Sequence, residues 1–146
     1  MKKILLLLLI TTIGFAQKNS ITLSSGAFFN TSLSDAKNML GATIEYDRTL
    51  NNGLSIGYVF GYYCLTKDKS FSELKLNIPI YDFGKFNVSV SGGAGYFHTY
   101  NDLLLEYDLN FNAKLNYSYS LAFTLSKTSA FMGEFTSLNI GLTKNF

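Results

Sequence analysis

Behind an apolar leader, this chain alternates apolar and polar side chains one by one through eight consecutive segments. Only an extended strand sends successive side chains to opposite faces, so each segment reads as a strand with two chemically different sides. The strands are expected at about 20–29, 40–48, 54–64, 71–81, 86–97, 103–113, 116–126 and 135–146. Most span roughly nine to twelve residues. A tilted strand needs about 9–11 to cross a bilayer, whereas ordinary soluble strands run to about 5–6.

The two faces differ in size as well as polarity. One carries Leu23, Ile44, Tyr58, Leu74, Val90, Leu105, Phe123 and Ile140, with their neighbours two residues away. The other carries mostly Ser, Gly, Thr and Asn, and a few charges. Eight strands close around an interior just wide enough for side chains. The small polar face fits that interior and the large apolar face fits lipid. Lipid tolerates no open sheet edge, so the sheet must close. The expected fold is all-β: an eight-stranded antiparallel up-and-down transmembrane β-barrel. The inverse arrangement, a soluble exported calyx binding an apolar ligand, would need far more Lys and Glu on its water-facing side.

Composition agrees. Charged residues are 15% of the chain, against about 25% for soluble domains. Residues 1–16 have the form of a signal peptide: Lys2 and Lys3, an apolar run from Ile4 to Ile10, and the small residues Gly14 and Ala16. The run is too short for a membrane helix, which needs about 20 apolar residues. Residues 17–146 would then form the barrel. Of 12 basic and 10 acidic residues, Lys2 and Lys3 leave with the leader, so the remainder is neutral. Nothing basic invites nucleic acid. Cys64 stands alone, so neither an intramolecular disulfide nor a Cys-based metal site is expected, and no cofactor is implied.

Short turns are expected near Leu50–Gly53, Asp82–Lys85 and Lys114–Leu115. Longer connections are expected at 30–39 and 127–134, with intermediate ones at 65–70 and 98–102. Outer-membrane barrels keep short turns on the periplasmic side and longer loops outside. Phe131, Met132 and Phe135 surround the last outer loop as an apolar rim. Pro79 cannot donate a ladder hydrogen bond, so a bulge or strand end is expected there. Tyr46, Phe86, Tyr117 and Tyr119 near one rim, and Tyr62 and Tyr96 near the other, form an expected aromatic girdle.

On this strand pattern, the glycine-rich strand Val90–Tyr96 and the end Ile140–Phe146, the chain resembles the small eight-stranded outer-membrane β-barrel domain proteins of Gram-negative type. The resemblance covers Gln17 to Phe146. It implies residence in the cell outer membrane after removal of the signal peptide. It also implies an assembly signal, with Gly141 five residues before the terminal aromatic Phe146. Lys144 stands where that signal usually has an apolar residue, but its long stem can snorkel to the interface. The implied partners are outer-membrane lipid and, during biogenesis, the barrel-assembly machinery.

Two groups could carry chemistry. Glu45, Asp47, Glu73, Glu106 and Asp108 face the expected lumen with Lys75 and Lys114. Lys75 and Glu106 fall at similar heights, so a structural network of Lys75, Glu106 and Asp108 is expected. The surplus of acid leaves one carboxyl to stay protonated, or a cation to be held. The lumen-facing glycines, including Gly57, Gly61, Gly93, Gly95 and Gly141, are expected as notches filled from the opposite wall by Phe28, Tyr63 or Phe97. The second group is His98, the one histidine, at the outer rim. Small barrels of the lipid A deacylase kind pair a membrane-facing His with a Ser two residues on. Tyr100 occupies that place here, so no catalytic residue is assigned. The expected function is a non-enzymatic envelope barrel, structural or presenting short outer loops to an unidentified protein or ligand. The alternative from another class is a membrane-embedded enzyme modifying lipid A or phospholipid.

Overall fold

The computed structural model describes residues 18–30, 39–50, 53–64, 69–98, 101–130 and 133–146. The expected signal peptide lies outside them, as do Phe131, Met132 and Tyr100, and the side chains of Tyr63 and Cys64. The described chain forms strands β1 (Lys18–Asn30), β2 (Met39–Thr49), β3 (Ser55–Cys64), β4 (Lys69–Asp82), β5 (Phe86–Phe97), β6 (Asp102–Lys114), β7 (Tyr119–Ala130) and β8 (Gly133–Asn145). Each strand pairs antiparallel with the next, and β8 pairs with β1, closing an up-and-down barrel.

Closure involves a stagger. Paired residues lead once round the barrel from Ser20 through Asp47, Gly57, Lys75, Gly93, Glu106, Thr128 and Phe135 to Asn30, ten residues along the strand of origin. Such a stagger tilts the strands against the barrel axis. An inward side chain therefore leans over the adjacent strand. This corrects the expectation that the glycine notches are filled from the opposite wall. A Cβ on Gly61 would strike the ring of Phe71, its partner on β4. One on Gly57 would lie 2.6 Å from Asp47 Oδ1, and one on Gly93 would overlap the Glu73 carboxyl.

The apolar faces point outward. Leu23, Ile44, Tyr58, Leu74, Leu105, Phe123 and Ile140 are all exposed, while the buried set is dominated by Ser, Thr, Asn, Glu, Asp and Lys. That polarity is the reverse of a calyx. The interior is not uniformly polar, however. Phe28, Val59, Phe71, Phe97 and Leu104 pack into one buried cluster, with Ala130 and Phe135 against it. Phe71 and Phe97 lie 5.7 Å apart between ring centroids, and Phe97 and Phe135 6.4 Å. Large residues are thus not confined to the lipid face.

The connections differ from the sequence reading at both ends of β7. Three short ones join β2–β3, β4–β5 and β6–β7 at the end of the barrel that also holds Lys18 and Asn145. In the second, Gly84 takes φ 77° and its N–H donates to Asp82 Oδ1 at 2.8 Å. At the opposite end β1–β2 spans residues 31–38, but β7–β8 spans only 131 and 132. The expected long loop 127–134 is largely a hairpin: Lys127 pairs with Thr136, and Ala130 with Gly133. Gly133, at φ 134°, starts the return strand. Phe135 sits inside β8 and packs inward on Phe97, not around a loop. Likewise β7 begins at Tyr119, so Tyr117 lies in the turn before it, fully exposed. The bulge expected at Pro79 is present as a register shift between Pro79 and Tyr81.

Candidate functional site

The middle of the lumen holds an ion network. Lys75 on β4, Gly93 on β5 and Glu106 on β6 share one register line. The lysine reaches across the intervening strand to the acids of β6. Lys75 Nζ donates to Glu106 Oε1 at 2.7 Å and to Asp108 Oδ2 at 2.6 Å. Glu106 Oε2 also accepts from Thr128 Oγ1 at 2.7 Å, and Asp108 Oδ2 from Ser91 Oγ at 2.7 Å. Asn110 Nδ2 donates to Ser91 Oγ at 3.1 Å, and Thr124 Oγ1 donates to Asn110 Oδ1 at 2.8 Å. All three charged residues are about 6% exposed or less. Burying ions costs several kcal/mol each, so they persist where geometry and extra hydrogen bonds repay that cost. The hydroxyls and amides of β5, β6 and β7 supply those bonds.

The remaining lumen acids are less well matched. Asn77 Nδ2 donates to Asp47 Oδ1 at 2.7 Å. Asp47 and Glu45 crowd the same space above Gly57. Glu73 is 1% exposed and leans over Gly93, and neither carboxyl oxygen has a hydrogen-bond partner among the described residues. A small cavity, about 20 Å³, is bordered by Ser24, Thr43, Glu45, Lys75, Glu106 and Thr124 among others, and Glu73 does not line it. Lys114 corrects the sequence reading. It ends β6 at the short-turn end, its side chain is 47% exposed, and it pairs with Asp82 at 3.5 Å. Its stem carries the charge out of the lumen mouth into water.

At the opposite end, the outward positions of β4 and β5 turn polar. His98 Nε2 lies 3.0 Å from Ser72 Oγ, with the ring edge-on to Tyr96 at 5.8 Å and the His98 N–H donating to Ser70 O. Sequence spacing alone offers no serine hydroxyl beside His98 along the same strand. The structure supplies one from the neighbouring strand, 26 residues earlier. The β4–β5 hairpin register would have revealed it, because outward Ser72 pairs with outward Tyr96 beside His98. Among the described residues no carboxylate bonds to His98, whose ring is held by Ser72 and Tyr96.

The rim aromatics lie at both ends. At the short-turn end Tyr46 OH donates to Asn19 Oδ1 at 3.1 Å, with Phe86, Tyr117 and Tyr119 exposed nearby. At the other end are Tyr62, exposed, and Tyr96, hydrogen-bonded to Asn101. Gly141 faces inward opposite Ser24, where a Cβ would come within 2.7 Å of Ser24 Cβ. Lys144 Nζ stacks 5.1 Å above the Phe146 ring at the short-turn end.

No protein-family profile and no curated protein sequence matches this chain. Solved structures do. The Neisserial surface protein A superposes with TM-score 0.67 at 8% identity, over 88% of this chain and 97% of that one. Ail, the attachment invasion locus protein of Yersinia pestis, gives 0.65 at 11% identity, over 88% and 98%. A de novo designed transmembrane β-barrel gives 0.67 at 11% identity, over 87% and 95%. The chain has the fold of the small eight-stranded outer-membrane barrels. A designed protein fits as well as natural ones, so the likeness speaks to architecture and leaves function to the site.

Proposed function

We propose that this protein is a non-enzymatic barrel of the bacterial outer membrane, serving the envelope as a structural element or displaying short loops to a partner. The observation that carries this reading is the closed interior. Phe71 and its neighbours fill the lumen at one level, and the Lys75–Glu106–Asp108 network ties its walls together at the next. Such an interior favours a sealed scaffold over a diffusion pore. In this reading the lipid bilayer covers the outward apolar belt and the short-turn end faces the periplasm. The assembly machinery recognises the strand ending in Gly141 to Phe146. The test is electrophoresis of the outer-membrane fraction, unheated and boiled. A heat-dependent mobility shift of a membrane-bound band is expected. An unshifted band in the soluble periplasmic fraction would overturn the reading.

One observation favours a second reading. The Ser72–His98 pair sits at the rim, on the lipid-facing side, where an acyl ester of a membrane lipid would meet it. A lipid-modifying activity there predicts that Ser72→Ala and His98→Ala each change the mass spectrum of extracted lipid A or phospholipid. Under the first reading both spectra match the wild type.

A further inference from the structure

Charge is spread unevenly along the barrel axis. Residues 17–146 carry as many acids as bases, yet the two kinds are separated. The acids gather in the lumen around Lys75. Among the described side chains, the short-turn end carries Lys18, Arg48, Lys85, Lys114 and Lys144 against Asp82, and Asp82 is paired with Lys114 at 3.5 Å. Asp47, the next acid up, is turned into the lumen and accepts from Asn77. At the opposite end Lys127 is matched by Glu134.

Two of these cations stand on the lipid-facing side. Arg48 follows Ile44 and Tyr46 on the outward face of β2, and Lys144 follows Ile140 and Leu142 on that of β8. They flank β1, where Arg48 pairs with Asn19 and Lys144 with Ile21. Two interstrand steps and two residues along the strand put their Cα atoms about 12 Å apart, a gap that two long side chains close from both sides. No ion pair among the described residues includes either, and Arg48 Nε is buried without a hydrogen-bond partner. Lys144 Nζ meets the Phe146 ring at 5.1 Å. Between the two cations, Asn19 accepts from Tyr46 OH through Oδ1, which leaves its amide nitrogen to donate. Three donors, two of them charged, thus share one stretch of membrane edge with no acidic side chain opposite. Towards the bilayer centre the same strip continues as Leu23, Ile44 and Leu142, each 45% exposed or more.

We propose that this patch binds the phosphate of an anionic phospholipid, with the acyl chains lying on Leu23, Ile44 and Leu142. A bare phosphate matches the donors but not the apolar strip, whereas a lipid matches both. Arginine holds phosphate by parallel N–H bonds and lysine holds it as a point charge. Basic side chains at a bilayer surface favour anionic over neutral headgroups. The inference rests on the membrane-barrel reading above, in whose orientation the lipid belongs to the periplasmic leaflet.

The chain has no tryptophan, so a single introduced indole reports its own lipid neighbours. Tyr119→Trp places it beside Lys144, the cross-strand partner of Tyr119. Leu103→Trp places it on the exposed face at the opposite end of β6 from Lys114. Each barrel is refolded into vesicles of mixed phosphatidylcholine and phosphatidylglycerol, with one lipid or the other brominated, and quenching gives their relative binding. Phosphatidylglycerol is expected to be favoured about fivefold or more at Tyr119→Trp and about equally with phosphatidylcholine at Leu103→Trp. Adding Arg48→Gln and Lys144→Gln should abolish the preference at Tyr119→Trp, while adding Lys127→Gln should not. If the doubly neutralised barrel does not refold, Lys144→Gln alone should lower the preference by about twofold or more. Equal quenching by the two lipids at Tyr119→Trp, or a preference that survives loss of both cations, overturns the proposal. So does loss of the preference when phosphate replaces chloride at equal ionic strength, which assigns the patch to free phosphate. An indole quenched by neither lipid lies outside the bilayer and overturns the membrane-barrel reading itself.

Discussion

The lumen has two levels built on opposite principles. Towards the end with the 31–38 connection it is an apolar plug of Phe28, Val59, Phe71, Phe97 and Leu104. One level down it is an ionic layer around Lys75, Glu106 and Asp108. The plug is held by packing, which is non-directional and tolerates exchange of shapes. The ionic layer is held by directional bonds, each of which leaves a buried charge exposed to low dielectric if its partner goes. The contrast teaches where the fold is adaptable and where it is exacting. Phe71, Glu73 and Lys75 alternate down one strand and carry both principles within five residues.

The sharpest way to break the comparison is to remove the one cation of the network. Lys75→Met keeps the stem and leaves Glu106 and Asp108 facing each other. Destabilisation of about 3–5 kcal/mol is expected, read from urea unfolding in detergent or vesicles. Adding Glu106→Gln and Asp108→Asn should restore much of it, because the neutral layer no longer needs a counter-charge. Failure of the triple variant to recover would place the role of Lys75 in packing.

The plug should respond differently. Phe71→Ala removes a side chain that is 2% exposed and is expected to cost about 3 kcal/mol in lost contacts and cavity. Phe71 and Lys75 stand roughly 13 Å apart along β4. If the two levels are independent, the Lys75→Met and Phe71→Ala effects add to within about 0.5 kcal/mol. A milder probe is Gly61→Ala. Its Cβ enters the Phe71 ring, so a cost of about 1–3 kcal/mol is expected, relieved when Phe71→Leu is added. Independence of the two substitutions would show that the notch does not serve Phe71.

How much of this was legible depended on whether a residue announced itself by period. The outward row Leu74–Leu76–Ile78–Ile80 did, and so did the polar row opposite. Lys75 and Glu106 could be matched in height because two hairpin turns of visible chemistry lie between them. Phe71, Val59 and Leu104 could not, because a lone apolar residue on a polar face looks like noise against alternation. The ends of β7 were hidden for the converse reason. Lys127–Ala130 has no large apolar side chain, so it read as loop, although the backbone pairs through Ala130. The Ser72–His98 contact depends on register, which no single strand displays. The filling of glycines from next door depends on the stagger, which belongs to the closed barrel.

The misread hairpin supplies the smallest and most discriminating prediction. Lys127 and Glu134 form an ion pair at 2.9 Å, of the same two residue types as Lys75 and Glu106 at 2.7 Å. The difference is surroundings: the hairpin side chains are 58% and 51% exposed, those of the buried pair 6% each. In water the charges are already well solvated, and holding two long side chains together costs entropy. A double-mutant cycle of Lys127→Ala and Glu134→Ala should therefore give a coupling of about 0.2–1 kcal/mol, fading towards zero near 1 M salt. The corresponding cycle of Lys75→Met and Glu106→Gln should be larger and nearly indifferent to salt, since mobile ions do not screen a lysine sealed in the lumen. A salt-sensitive buried coupling would mean that water and ions reach Lys75, and the ionic layer would then be the wall of a conduit.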